Sequence, residues 1–419
     1  MLHRNVLSRI APVAVLISGI VFGSGVRAES DIYFDFSGKI SIENRWFPQT
    51  NLYSHQSRHS SGFVFEPELY FEGAEGWSFT LVPFFRHDSA DSRRTHGDLR
   101  EAYFLLFGEL GEDEWELRVG VDRIFWGVIE SNHLVDIINQ VDAIEHPDQE
   151  VELGQLMAHL TLSGKWGIAE FFVLPHHRER TFPGRDGRLR SGLIVDEDHP
   201  TYESSAEQWH TDFALRYSHN FGPFDIGISV FDGTSREALL LPRFGPNGMI
   251  EGLVPHYEQI RQFGLDAQMT LEDWIWKLEA IHRSGAQNLS YEEDDYAALV
   301  MGVEYTFYSI FDSPADFSLV WEWNYDERGE DATSIFDDDL FFAIRYALND
   351  LHDTAFFFSM MQDREHSTNV LFLEFDRRLT DQWSMNIEGF HLLNSDEKDV
   401  QADPIRRDSF LELRLNYNF

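Results

Sequence analysis

The chain closes on Asp408-Ser409-Phe410-Leu411-Glu412-Leu413-Arg414-Leu415-Asn416-Tyr417-Asn418-Phe419. Leu411, Leu413, Leu415, Tyr417 and Phe419 take every second position, with Glu412, Arg414, Asn416 and Asn418 between them. Successive side chains of a strand project to opposite faces, so this segment has one wholly apolar face and one wholly polar face. An edge strand of a soluble sheet could carry that pattern. A closed sheet with lipid outside and water inside fits it better, and fits a chain that stops on an aromatic.

The start agrees with the end. Arg4 and Arg9 precede an apolar run from Ile10 to Phe22, and Val26-Arg27-Ala28 has the small-x-small form of a signal peptidase site. Residues 1–28 are expected to be a secretory signal peptide cleaved after Ala28, leaving 29–419 as a single barrel domain. No later stretch holds ~18 consecutive apolar residues, so no spanning helix is expected. Barrel closure is the remaining way across a membrane, because it pairs every backbone donor and acceptor. The 36 Phe, 14 Tyr and 11 Trp are enough to supply interfacial girdles. With no cysteine, disulfide scaffolds, thiolate metal sites and thiol nucleophiles are excluded. A net charge of -39 argues against nucleic acid as a partner.

From residue 31 onward, runs of roughly ten alternating residues recur with tight and long connections in turn. They lie at 31–46, 62–72, 77–87, 98–107, 115–125, 155–163, 166–175, 209–219 and 223–232. The rest lie at 261–271, 274–284, 296–308, 316–326, 338–348, 353–363, 369–379, 382–392 and 408–419. The fold class is therefore all-β, a transmembrane antiparallel barrel of about 18 strands. Tight turns such as 73–76, Ser163-Gly164-Lys165, Glu272-Asp273 and Thr380-Asp381 belong on the periplasmic side, and the long connections 127–154, 177–207 and 233–260 outside. The expected location is the bacterial outer membrane.

Alternation also assigns faces. Phe63, Phe65, Leu69 and Phe71 point to lipid, and Glu66, Glu68, Tyr70 and Glu72 to the interior. Likewise Arg86, Arg118, Asp122, Arg216, Lys277, Glu279, Glu322, Arg345, Glu374, Asp376, Glu388, Glu412 and Arg414 point inward. A charge on the lipid face near the midplane costs ~2–4 kcal/mol, so these charges imply a hydrated interior. Pairing between strands merely to stiffen the wall would account for many of them.

Two outer loops stand out. In 127–154, Leu134, Ile137, Ile138 and Val141 sit at helical spacing, a stripe that a loop tip in water would not need. The segment is expected to fold inward on the wall, or else to form a short helix capping the mouth. Folded inward, Glu130, Asp136, Asp142 and Glu145 would face Arg86, Arg118 and Arg345 across a narrow gap and order water there. The next loop sets Arg178, Arg180, Arg185, Arg188 and Arg190 within thirteen residues, a bidentate anion-binding cluster at the mouth or a set of contacts to lipid phosphate and acidic loops. Glu292-Glu293-Asp294-Asp295 and Asp337-Asp338-Asp339 read as solvated loop acids, with divalent cations beside lipopolysaccharide as the alternative.

Enzyme signals are poor. The single Gly-Ser-Gly stretch falls at Gly23-Ser24-Gly25, and none of the 18 histidines keeps a catalytic motif's spacing. No enzyme activity, cofactor or metal is expected.

Leu99-Arg100-Glu101-Ala102-Tyr103, Arg118 to Gly127, Phe213 to Ser218 and the terminal strand resemble proteobacterial outer-membrane porins, in particular the porin-like barrels of marine and environmental species. The resemblance implies passive diffusion of small hydrophilic, charged solutes. It also implies contact with outer-membrane lipids and lipopolysaccharide, and handling by the barrel-assembly machinery through the C-terminal strand. General porins usually have sixteen strands and form trimers; a count of eighteen leans to substrate-specific porins and leaves monomer and homotrimer both open. Two other readings are an export conduit for an anionic polysaccharide, similar to the alginate-export porin, and a barrel hydrolase using His176, His177 or His210.

Overall fold

Hydrogen bonding decides the architecture. Each strand exhausts its donors and acceptors on the neighbours that precede and follow it in the chain, all antiparallel, until the last meets the first. The computed structural model describes residues 32–419 apart from 75 and 397, so the expected signal peptide at 1–28 lies outside the described residues. Eighteen strands form one sheet. The seam joins Ile32–Trp46 to Phe410–Asn418 in register from Lys39 opposite Asn418 to Trp46 opposite Leu411. Gly38 and Phe419 complete it with reciprocal backbone hydrogen bonds of 3.1 Å. A Cβ on Gly38 would lie 2.7 Å from Glu66 O and Pro67 Cα of the next strand, so a residue without a side chain is needed for the backbones to approach this closely.

All eighteen runs anticipated from alternation are strands, including 166–175, observed as Gly167–Leu174. Their ends extend beyond the pattern in places, as in His59–Gly73 and His96–Leu110. Pro83, which cannot donate, sits where the register shifts between Val82 and Pro83, a bulge that spares the ladder a missing bond. What alternation did not reveal is structure above the barrel. Leu239–Phe244, Ile250–Tyr257 and Thr201–Tyr202 form a small outer sheet, so the connection 233–260 is largely a hairpin.

The two faces separate as the terminal strand demands. Ile42, Phe63, Phe104, Phe213, Phe263 and Leu411 lie on the exposed outer surface, while Glu279, Glu322 and Glu412 are wholly withdrawn inside. At the turn end, outward aromatics pack in a belt: Phe34 on Phe71 (4.9 Å), Phe79 on Phe104 (4.6 Å), Trp274 on Tyr305 (4.5 Å) and Trp383 on Tyr417 (5.1 Å). Such a girdle belongs at a membrane interface.

Leu413→Arg, on the lipid face of the closing strand, is expected to destabilise insertion by ~2–4 kcal/mol. Lysine at the inward neighbour Asn416 should cost far less. Equilibrium folding into lipid vesicles under urea checks the contrast, and equal costs would contradict the face assignment.

Candidate functional site

The segment after Asp113–Asp122 turns into the barrel. Trp126, Val135, Ile137 and Ile138 pack against inward side chains of the wall, among them Met157, Phe172, Ala214, Phe231, Ile260 and Ile281. Burial of one Val or Ile side chain is worth about 1.5–3 kcal/mol, so the apolar stripe recognised in the sequence holds the segment inside. Asn139 ties its two stems together: Nδ2 donates to the carbonyls of Asp122 (2.9 Å) and Leu153 (2.8 Å), and Oδ1 accepts from Ile124 N (2.9 Å).

The helical spacing does not produce a helix. Wall carboxylates take the N–H groups that a helix would have used. Glu279 accepts from Val128 (2.7 Å), Ile129 (3.1 Å) and Val135 (3.3 Å); Glu322 accepts from Glu130 (3.0 Å) and Ser131 (2.9 Å). Gly127 permits this approach, since a Cβ there would lie 2.8 Å from Glu279 Oε1 at a φ of +146°. The regular pairing within the segment is the short match of Gln140–Val141 with Glu152–Leu153.

Of the four acids assigned to this segment, three meet bases, and they bond to them directly rather than facing them across a gap. Glu130 bonds Lys277 (3.0 Å) and Arg345 (3.0 Å). Glu145 bonds Arg86 (2.5 Å), and Asp142 bonds Arg100 (2.7 Å) and accepts from Thr181 Oγ1 (2.8 Å). Asp136 departs from the expectation altogether. It is half-buried beside Glu152, accepts from Trp126 N at 3.3 Å, and is pushed well above the usual carboxylate range by desolvation and then by Glu152. Its neighbours are Trp126 N and Glu152 rather than an arginine.

The wall residues keep their inward places with varied partners. Arg118 leaves the inward segment alone and bonds Asp122 of its own strand (3.2 Å), with Tyr103 under its guanidinium. Arg216 pairs with Asp266 (2.6 Å), and Arg345 also reaches Glu304 (3.6 Å). Arg414 bridges Glu43 (3.0 Å) and Glu412 (2.9 Å), while Arg86 bonds Glu43 as well. Glu66 and Glu68 stand in register with Lys39 and Ser37.

The five arginines of the next loop are not gathered into one cluster. Arg178 bonds Asp98 (2.9 Å), and Arg180 bonds Gln149 (2.6 Å). Arg188 is buried on Asp408 (2.6 Å) and the Phe47 ring, and Arg190 lies over Tyr53 at 3.8 Å; Arg185 is exposed. Most of this charge cross-links loops, because guanidinium forks satisfy several acceptors at once.

Alternation gave no hint of Arg100 or His146. Arg100 is buried over Phe84 at 4.3 Å and reaches the Glu152 carbonyl (3.2 Å). His146 spans the interior from the inward segment, with Nδ1 2.7 Å from Asp148 and Nε2 3.0 Å from Glu388 on the far wall. Burial alone would lower its pKa, but the bonds to Asp148 and Glu388 outweigh that and raise it to about 9. The imidazolium is therefore a pin at neutral pH.

With Glu130 reaching Arg345 and His146 reaching Glu388, the segment crosses from its own strand to two distant stretches of wall. Between them remains an interior cavity of about 1960 Å³ whose lining includes Glu130, Asp148, Glu150, Arg345, Glu374, Asp376 and Glu388. Burial, then Asp148, then Glu374 push Glu150 up to about 7.

No family model matches the sequence, and no curated protein sequence does. Among solved structures, Pseudomonas aeruginosa OpdO is similar at 10% identity with a TM-score of 0.51, over 93% of this chain and 96% of that one. A variant porin of Rhodopseudomonas blastica aligns at 9% identity with a TM-score of 0.43, over 92% of this chain and 100% of that one. The fold is a porin-like β-barrel of the outer-membrane type.

Two outcomes follow from these anchors. Glu279→Ala strands three backbone donors, at about 1–3 kcal/mol for each that stays buried and unsatisfied. It should lower the melting temperature and accelerate amide exchange at Val128, Ile129 and Val135; unchanged exchange would remove Glu279 as an anchor. The contribution of His146 is fully present below about pH 6.5, the ordinary histidine value, and is lost as pH rises through about 9. Limited proteolysis near His146 should rise between pH 8 and 10 in wild type and be high throughout in His146→Ala.

Proposed function

We propose that the chain forms a water-filled outer-membrane channel for passive diffusion of small hydrophilic, charged solutes, narrowed by the inward segment 127–154. Outer-membrane lipid and lipopolysaccharide around the wall, and recognition of the terminal strand by the barrel-assembly machinery, belong to the same proposal. One observation carries its charge preference. Along the open side of the cavity, Arg345 is engaged by Glu130 and Glu304, whereas Glu150 faces Asp148 and Glu374, and Asp376 accepts only a neutral amide from Asn386 (3.1 Å). Fixed carboxylates beside a narrow aqueous path attract cations and repel anions.

The polysaccharide-export reading needs free arginines along the path. Arg45, Arg86, Arg100 and Arg216 are instead bonded to Glu412, Glu145, Asp142 and Asp266, which favours the cation reading.

Planar-bilayer recording in a KCl gradient tests the proposal. Discrete conductance steps with a cation-selective reversal potential are expected. Glu150→Gln combined with Glu374→Gln should move that potential toward zero. Because Glu150 is ionised above about pH 7 and neutral below it, acidification from pH 8 to 6 should move the wild type in the same direction. Absence of steps would end the channel reading; an anion-selective potential would end the charge preference alone.

A further inference from the structure

A group of ligand-type side chains lies where strand His96–Leu110 begins beside the inward segment, with Glu145 at the edge of the interior cavity. His96 Nε2 stands 3.8 Å from Asp142 Oδ2 and 3.8 Å from Glu145 Oε1. One ligand atom from each of the three residues lies within 4.8 Å of the others. These separations are too long for hydrogen bonds. They are near the ~3.4 Å between two ligands of a tetrahedral ion bound at ~2.1 Å.

An independent observation points into the same space. Both ring nitrogens of His96 and Oε1 of Glu145 are shielded from solvent without a hydrogen-bond partner, and Glu145 is only 5% exposed. Buried polar atoms left without partners are costly. Arg86 holds Glu145 Oε2 (2.5 Å) and Thr181 holds Asp142 Oδ1 (2.8 Å), while Asp142 Oδ2, bonded by Arg100 (2.7 Å), keeps its second lone pair for the space beside His96. Metal-ligating carboxylates are typically oriented by such outer hydrogen bonds.

We propose that His96, Asp142 and Glu145 bind one divalent transition-metal ion of the zinc class, pinning the inward segment to the wall. An imidazole with two carboxylates suits zinc; calcium prefers six to eight oxygens. Arg86 and Arg100 place positive charge next to the ion, so the affinity is moderate. The competing occupant is a proton: an imidazolium between the two carboxylates would need no metal.

Calorimetric titration of the refolded protein with zinc chloride in detergent decides between them. One saturable site is expected, weakened at least tenfold in His96→Asn and in Glu145→Gln, with heat-modifiable gel mobility reporting that each variant still folds. Zinc binding that is equal in wild type and both variants overturns the proposal, as does the absence of a saturable site in wild type. If neither variant folds, X-ray absorption at the zinc edge of the wild type loaded with one equivalent of zinc decides; a first shell without an imidazole nitrogen overturns it.

Discussion

An amide or carbonyl without a partner in hydrocarbon costs several kcal/mol, and that penalty governs the whole molecule. It forces the sheet to close, and the seam ends on the reciprocal backbone hydrogen bonds between Gly38 and Phe419. Closure sorts each strand into a greasy outside and a polar inside. The interior then holds charges that no lipid-facing position would tolerate.

Those interior charges are used twice. Some knit the wall, as Arg414 does with Glu43 and Glu412. Others reach into the space and hold an irregular chain segment by its backbone, as Glu279 and Glu322 do. A carboxylate accepting several N–H groups gives charge-assisted bonds in a water-poor setting, which is why it can replace a helix's own hydrogen bonds. The inward segment thus gets its shape from the wall.

Much of this was legible beforehand because a strand's period is two. Terminal Leu411 to Phe419 and the seventeen runs before it repeat one simple pattern, and every one of those runs is a strand. The inward placement of Glu279, Glu322 and Arg345 follows from the same parity. Parity says nothing about partners, however. Arg118 was expected to face the inward segment and instead turned to Asp122 four residues along its own strand. Asp136 was read as a constriction acid facing arginine, but it lies beside Glu152 instead, where desolvation and that neighbour push its carboxyl above the usual range. The arginines from Arg178 to Arg190 are close in sequence yet bind acceptors as far apart as Asp98 and Asp408. The hairpin Leu239–Phe244 and Ile250–Tyr257 escaped notice because its strands are too short and mixed to alternate clearly.

By itself, then, the order of residues determined that this chain rolls into an eighteen-stranded cylinder and which side chains look inward, since both depend only on local periodicity and on backbone pairing between neighbours. Which acid meets which base, how the crossing segment lies, and where the open passage runs were decided only once strands remote in sequence came together. Coulomb and hydrogen-bond energies act over a few ångströms, and those distances exist only after the cylinder has closed.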